Sequence, residues 1–288
     1  MEEKKAKSYI VYMLLVVINV LGSGIFLAGE PGRAGEAGEE LLLATTTSTD
    51  NTGLLEYLMP LFSARTGIDI KWISTGTGKA LKLGENCDVD VLLVHAPQAE
   101  IDFVARGFGI DRRPIMYNDF VLIGPPEDPA GVRGKNVSQA LQAIRSSGNV
   151  FVSRGDNSGT NKKEQTLWNS ADVPTPDQEP WYRQSGQGML ATINMAAELQ
   201  GYTLTDRGTY IKYEDVVESN PVLVILGEGD PDLLNQYSII PVNREHCPNV
   251  KYEKAQVFSA WMAGKESQQL IGEFKLLDKK LFTPNAAQ

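Results

Sequence analysis

The feature that most constrains the fold of this chain is an alternation of apolar runs and amphipathic stretches, separated by polar turns. Residues 41–44 form an apolar run, residues 54–62 have helical spacing, and residues 68–73 alternate like a strand. A short helix from residue 79 and a buried strand over residues 89–94 follow. Because strand–helix–strand order places parallel strands beneath covering helices, we predict an α/β fold with a parallel sheet.

A second α/β unit follows the first. Its segments are predicted from the same periodicities: strands over residues 120–123, 150–152, 209–213, 222–226 and 238–242, and helices over 137–145, 162–168, 189–199 and 266–277. Two α/β lobes with a cleft between them fit this order, with crossovers near Asn118 and Tyr237. We therefore assign residues 41–118 and 237–288 to lobe I and residues 119–236 to lobe II.

The N-terminal segment indicates export. Three lysines precede an apolar run over residues 9–28, which is typical of a signal peptide or of a membrane anchor. Residues 29–40 are rich in Gly and Glu and read as a flexible tether. Whether the apolar run is cleaved or retained, residues 1–40 place the rest of the chain outside the cytoplasm.

Charge and composition exclude several classes of function. The net charge of -9 opposes nucleic-acid binding, which depends on neutralising phosphates. The two cysteines, Cys87 and Cys247, lack the spacing of a metal site, and they can form one disulfide or remain two free thiols. His95 and His246 are the only histidines, too few for a His-rich metal site. We expect no metal and no cofactor.

Residues 153–160 form the most informative turn, between a predicted strand and a predicted helix. The N–H groups of Ser158, Gly159 and Thr160 would lie at the helix N-terminus, where unpaired donors and the helix dipole favour an anion. Arg154 adds a planar fork of donors suited to an oxyanion, and Asp156 could orient it through an ion pair. The alternative is an ordinary capped helix start.

Two further turns carry hydroxyl groups to the same edge of the predicted sheet. In the first, Thr45, Thr46, Thr47 and Ser48 stand among five consecutive hydroxyl residues. Helix capping alone would need one of them, so a binding role is favoured.

The second of these turns presents Thr77 and Gly78 between a strand and a helix. Ile73 and Ala80 occupy positions where a nucleotide-binding P-loop needs glycine and Ser or Thr, which disfavours a nucleotide site. His95 follows the next strand, as a group that either orients the ligand or is purely structural. Polar residues 206–209, which include Arg207, and the segment 186–188 could add contacts or be plain turns.

With these turns in view, the chain closely resembles the periplasmic tungstate-binding proteins of ABC transporters, over residues 41 to about 275. The similarity is carried by several segments in order: residues 44–49, 80–86, 91–97, 116–120, 153–160 and 202–209. The Arg-x-x-x-Ser-Gly-Thr portion of residues 154–160 also resembles phosphate-binding proteins.

The resemblance implies a two-lobed type II periplasmic-binding-protein fold with a ligand cleft between the lobes. It also implies that the Thr/Ser turn, Thr77, Arg154, Ser158 and Thr160 grip tungstate or molybdate, and that the protein, a monomer, delivers it to a membrane permease. A phosphate- or sulfate-type binding protein is the alternative. An oxyanion-ester hydrolase is disfavoured, because no nucleophile–base pair is evident, and we expect no enzyme activity.

Overall fold

The computed structural model describes residues 39–217 and 221–287 as a mixed α/β protein. Its strands are β1 Glu39–Thr46, β2 Ile68–Thr75, β3 Val91–Val94, β4 Arg113–Gly124, β5 Phe151–Ser153, β6 Tyr182–Gln184, β7 Thr203–Asp206, β8 Val224–Gly227, β9 Leu234–Pro241, β10 Lys275–Leu276, β11 Lys279–Lys280 and β12 Thr283–Pro284. The predicted export segment lies outside the described residues, except that the last two residues assigned to the tether, Glu39 and Glu40, belong to β1.

Ten α-helices accompany these strands in the described chain. They are α1 Thr47–Asp50, α2 Leu54–Thr66, α3 Thr77–Glu85, α4 Pro97–Ala105, α5 Val137–Ser147, α6 Gly159–Ser170, α7 Met189–Glu198, α8 Arg207–Val216, α9 Tyr252–Ala263 and α10 Lys265–Glu273. Residues Pro231–Leu233 add one short 3-10 helix.

The main sheet is mixed rather than fully parallel. Its central order is β12-β4-β9-β3-β1-β2, with β7 and β8 also paired to β4. Strands β1, β2 and β3 are parallel, as the strand–helix alternation predicts. However, β9 runs antiparallel to both β3 and β4, because the chain returns to the first unit after completing the second.

Strand β4 belongs to two hydrophobic cores. Ile115 and Met116 pack into a core built on β1, β2 and β9, whereas Phe120 and Leu122 pack into a core that contains Phe151 and helices α5 and α6. A strand of 12 residues thus connects two packed halves, which is the two-lobed arrangement of the type II fold. The division at residues 118/119 and 236/237 stays a prediction.

Four predicted segments were wrong in part or in full. One is the helix predicted over residues 266–277, which ends at Glu273 before β10. Residues 45–46 and 74–75, assigned to polar loops, complete β1 and β2, and Thr47 and Thr77 begin helices α1 and α3. Residues 209–213, predicted as a strand, lie in α8. Asp206 caps that helix by accepting from the Thr209 N–H at 2.9 Å, a local signal that outweighs weak strand propensity.

Candidate functional site

The hydroxyl-rich turn presents its side chains in two directions. Thr45 is fully buried, and its Oγ1 donates to the Leu93 carbonyl of β3 at 2.9 Å. Thr46 caps α1, because its Oγ1 accepts from the Thr49 N–H at 3.2 Å. The same oxygen lies 3.1 Å from Ser48 Oγ. Thr45 therefore stabilises the sheet, while Thr46 and Ser48 face the end of the strands.

His95, which follows β3, lies behind these two hydroxyls. Its Nε2 is 3.0 Å from Thr46 Oγ1 and 3.2 Å from Ser48 Oγ, and its Nδ1 is 2.9 Å from Asn235 Oδ1. The ring stacks on Tyr237 with centroids 4.7 Å apart. Burial lowers the pKa of His95, against the raising effect of the hydrogen bond that it makes to Asn235 Oδ1. His95 is therefore a neutral group tied to the hydroxyls.

Helices α3 and α6 meet at their N-termini beside His95. A Cβ on Gly159 would lie 3.1 Å from Thr77 Oγ1 and 3.2 Å from His95 Cε1. Only glycine allows this close approach without displacing a neighbour. Thr77 Oγ1 is buried and has no hydrogen-bond partner within the described residues, so one donor stands unused where the two helices meet.

A buried carboxylate anchors the turn before α6. Glu164 accepts from Ser153 Oγ at 2.5 Å, from Tyr182 OH at 2.7 Å and from Trp168 Nε1 at 3.1 Å. Ser153 Oγ in turn accepts from the Gly155 N–H at 3.2 Å. Burial raises the pKa of Glu164, although these donors oppose the shift. The network holds the 153–160 turn rigidly against the second core.

Arg154 projects from this turn into a cavity. One terminal nitrogen is ion-paired with Asp156, whose other oxygen accepts from the Ser158 N–H at 3.1 Å. Arg154 is only 9% exposed, and its Nε has no partner among the described residues. The guanidinium is thus oriented by Asp156 and keeps a buried donor unused.

The cavity beside Arg154 has a volume of about 460 Å³ and lies between α1, α7 and α8. Its lining includes two cations and no carboxylate: Thr47, Ser48, Asn51, Thr52, Arg154, Gly188, Met189, Leu190, Ala191, Gly208, Thr209 and Lys212. Helix α7 begins at this wall without a side-chain cap, so its first N–H groups add partial positive charge. Such a cavity suits a small anion.

The structure places three of the ten predicted ligand residues in this cavity: Thr47, Ser48 and Arg154. Thr46 and His95 adjoin it through their contacts with Ser48, and Gly159 and Thr77 lie next to His95. The other four predicted residues neither line it nor have these contacts: Thr45, Gly78, Ser158 and Thr160. Ser158 caps α6 by accepting from the Asn161 N–H at 3.3 Å, Thr160 is buried, and Gly78 lies near Lys162.

Two of the lining groups escaped sequence reasoning. Lys212 was missed because its segment was predicted as a strand. Asn51 was missed because only the hydroxyl run that precedes it was considered as a binding turn. Lys212 Nζ donates to the Asn51 carbonyl, which links α8 to the end of α1. The sequence did indicate the wall formed by Gly188 and α7, because the two glycines of residues 186–188 directly precede a predicted helix.

Arg207 forms its hydrogen bonds outside the cavity. Its Nε and one terminal nitrogen donate to the two oxygens of Asp119, each at 2.6 Å, and the latter nitrogen also donates to Glu228. These hydrogen bonds, led by that to Asp119, raise the pKa of Arg207. Arg207 therefore clamps α8 to β4 and does not line the cavity.

Cys87 and Cys247 form a disulfide, which settles the alternative left open by the sequence. Together with His246 they form a set of potential metal ligands within the described chain. The two sulfurs are bonded to each other, however, so they do not offer thiolates. No helix within the described ranges is sufficiently long and apolar to cross a membrane.

Comparison with known proteins gives consistent matches. A family described as a PBP superfamily domain matches residues 29–266. The curated tungstate-binding protein TupA of Campylobacter jejuni is 50% identical over 239 residues, which cover 83% of this chain and 88% of that protein.

Two solved structures are similar over nearly their whole length. The tungstate-binding protein TupA of Desulfovibrio alaskensis G20 is 61% identical, with a TM-score of 0.81, and the match covers 86% of this chain and 100% of that one. A structure described as the tungstate ABC transporter from Geobacter sulfurreducens is 45% identical, with a TM-score of 0.74, and covers 83% of this chain and 100% of its own.

Proposed function

The chain belongs to the family of TupA tungstate-binding proteins within the PBP superfamily, and on that premise we propose that it binds tungstate and delivers it to an ABC transporter permease. The binding occurs without chemical conversion of the anion. As a solute receptor the protein acts as a monomer outside the cytoplasm. The disulfide between Cys87 and Cys247 supports that location, because disulfides persist in oxidising compartments.

One observation carries the proposal: two donors of the predicted site residues, Arg154 Nε and Thr77 Oγ1, are buried and have no partner within the described structure. Leaving a buried donor unpaired costs about 1–3 kcal/mol. A tungstate dianion would satisfy both, because its oxygens only accept hydrogen bonds. The unused donors thus favour an anionic ligand over a neutral solute.

The electrostatics of the cavity support the same ligand. The whole protein carries a net charge of -9, yet Arg154 and Lys212 are the charged groups in the cavity wall. Hydrogen bonds to a charged group contribute about 1.5–3 kcal/mol each, so a few of them can exceed the costs of desolvation and ordering. Ser48, Thr46 and Thr47 add neutral donors that leave the total charge of the site low.

We expect the ligand-contacting residues to be Thr46, Thr47, Ser48, Thr77, Arg154 and Gly159, with Asp156 and His95 orienting them. Gly78, Ser158 and Thr160 contribute through the N-terminal turns of α3 and α6 when the two halves close. Selection among tetrahedral dianions then depends on cavity size and donor placement, because a smaller anion leaves some donors unpaired. Molybdate, similar in charge and shape, is the nearest competitor.

Isothermal titration with tungstate, molybdate, sulfate and phosphate tests the proposal. We expect tungstate to bind most tightly and Arg154→Ala to weaken it by about 2–5 kcal/mol, as for a buried charge pair. Arg145→Ala is the matched control, because Arg145 is exposed at the end of α5. Absence of heat with all four anions would remove the proposed function.

A further inference from the structure

Behind Thr46 and Ser48 lies a chain of buried polar side chains, here termed the amide relay: Asn118, Asn235 and His95. Asn118 on β4 and Asn235 on β9 are register partners. Asn235 Nδ2 donates to Asn118 Oδ1 at 2.7 Å, and Asn235 Oδ1 is 2.9 Å from His95 Nδ1. Each of the three is at least nine-tenths buried, so the relay reaches the site through protein and not through bulk water.

Each hydrogen bond of the relay runs from a donor to an acceptor, and the sequence of these directions is here termed the order of the relay. This order determines whether the hydroxyls of Thr46 and Ser48 can donate to a ligand. Because Asn235 Oδ1 only accepts, His95 Nδ1 carries the proton in this order. A neutral imidazole has one N–H, so Nε2 is a bare acceptor 3.0 Å from Thr46 Oγ1 and 3.2 Å from Ser48 Oγ. Because Nε2 has one lone pair, it draws the proton of one of these two hydroxyls toward His95, and Thr46 Oγ1 also lies 2.7 Å from Thr49 Oγ1.

That order conflicts with binding an oxyanion. The oxygens of tungstate only accept, so Thr46 and Ser48 bind them by donating. If His95 carried its proton on Nε2 instead, the imidazole would donate its single N–H to one hydroxyl oxygen, and neither hydroxyl proton would be held by His95, so both could be donated to the anion. The reversed order therefore favours the ligand, and it requires each of the two asparagine amides to turn so that its oxygen and nitrogen exchange places.

An unpaired group in the relay indicates that the reversed order is accessible. Asn118 Nδ2 is buried and has no partner in the described part of the chain, and such orphaned N–H donors are rare. If both amides reverse, Asn118 Nδ2 donates to Asn235 Oδ1 and Asn235 Nδ2 donates to His95 Nδ1. Tyr237 OH, which accepts from Asn235 Nδ2 at 3.1 Å, then donates to Asn235 Oδ1.

We propose that oxyanion binding reverses the amide relay, so that His95 is a positioning residue that turns Thr46 and Ser48 into donors toward the ligand. The proposal rests on the proposed function. It assigns Asn118 and Asn235 a role at a site they do not touch. The anion makes more favourable hydrogen bonds with the reversed order than with the original one. This difference in binding free energy drives the reversal.

Nitrogen-15 NMR of the histidine rings tests the relay directly. The His246→Gln variant leaves His95 as the single histidine, so its tautomer can be read without ambiguity. We expect the Nδ1–H form before tungstate is added and the Nε2–H form at saturation, with saturation verified by titration calorimetry on the same sample. An unchanged tautomer, the Nε2–H form already present without anion, or an imidazolium at saturation would each overturn the proposal.

A matched pair of variants at position 118 gives a second test. In Asn118→Asp the carboxylate only accepts, which holds Asn235 in the original order, whereas Asn118→Leu imposes no order. We expect Asn118→Asp to keep His95 in the Nδ1–H form with tungstate present and to weaken binding at least about tenfold. We expect Asn118→Leu to retain the tautomer change. If His95 in Asn118→Asp still changed to the Nε2–H form with tungstate, any loss of affinity would come from the added charge alone. That result would contradict the proposal. Tungstate binding that is absent in the unaltered protein would overturn the proposed function as well.

Discussion

At the scale of single residues, the available hydrogen-bond partner determines what each buried polar group of the candidate site does. Thr45, Thr46 and Thr77 are all buried hydroxyls, yet they have different roles. Thr45 donates to the Leu93 carbonyl, Thr46 caps α1, and Thr77 Oγ1 has no partner in the described structure. Side chains of the same type therefore serve stability, local structure and binding according to the partner each one finds.

His95 should make stability depend on pH in a defined direction. Its folded pKa lies below the ordinary histidine value of 6.5, chiefly through burial, so the unfolded chain binds the proton more readily. The free energy of unfolding contributed by His95 is fully present above about pH 6.5 and is lost as pH falls toward the folded pKa. Urea denaturation from pH 8 to 5 should show a steeper acid-side decrease for the wild type than for His95→Gln. Equal slopes would contradict this.

At the scale of elements, the site depends on how closely two helix N-termini approach. Alanine usually stabilises a helix relative to glycine by up to about 1 kcal/mol. In Gly159→Ala, however, the new methyl group would meet Thr77 Oγ1 at 3.1 Å and His95 Cε1 at 3.2 Å. We expect tungstate affinity to fall at least about tenfold by calorimetry. The free energy of unfolding should fall by no more than about 2 kcal/mol, because the helix preference of alanine offsets part of the overpacking cost of about 1–3 kcal/mol.

Gly78→Ala is the control for that prediction. Gly78 lies in the first turn of the opposing helix α3, and a Cβ there would meet only Lys162 Nζ, at 3.9 Å. The variant keeps its backbone N–H and has room for the methyl group. A loss of affinity as large as that of Gly159→Ala would indicate a general effect of glycine replacement.

The first turn of α6 carries an unusual charge. Lys162 and Lys163 lie there with no acidic residue in that turn, although cations are disfavoured near a helix N-terminus. Both line a cavity of about 310 Å³ next to His95 and Gly159. We expect the double change Lys162→Gln and Lys163→Gln to slow tungstate association several-fold at low salt, because local positive charge steers anions.

Stopped-flow measurements at increasing salt test the role of these lysines. The difference between variant and wild type should shrink as salt screens the field. Lys265→Gln is the matched control, since Lys265 also opens a helix, α10, but lies outside both cavities beside the site. A slower rate that is independent of salt would point to distortion of α6 and not to steering.

At the scale of the whole molecule, one covalent link joins distant parts of the chain. The disulfide between Cys87 and Cys247 spans a sequence separation of 160 residues. It ties the region after α3 to the loop between β9 and α9. Because α3 begins at Thr77 in the site, the link fixes the far end of a site helix without touching the cavity.

Removal of the disulfide should lower stability and spare binding. We expect Cys87→Ser with Cys247→Ala to reduce the free energy of unfolding by about 2–5 kcal/mol, the usual effect of losing a long-loop disulfide. Tungstate affinity should stay within about twofold at a temperature where the variant is folded. Urea denaturation checks the first expectation and calorimetry the second, and an unchanged midpoint would contradict the stabilising role.

Local patterns in the chain were enough to identify much of the fold and part of the site. Apolar runs determined β1 and β3, helical spacing determined α2 and α5, and the hydroxyl turn and the segment 153–160 indicated an anion site. The inferences on these strands and helices succeeded because their apolar patterns are set by neighbours in sequence, while the anion site stays a prediction. Residues 209–213 failed because composition alone does not register the cap that Asp206 provides.

Tertiary structure alone decided which groups share a cavity and which are already paired. The partner of His95 Nδ1, Asn235, is 140 residues away in sequence, and Arg207 is engaged by Asp119, 88 residues away. Lys212 reaches the cavity wall only because α8 packs against the end of α1. Hydrogen bonds and burial depend on distances in space. The pattern of residues along the sequence does not specify which distant segments the fold brings within about 3 Å of each other.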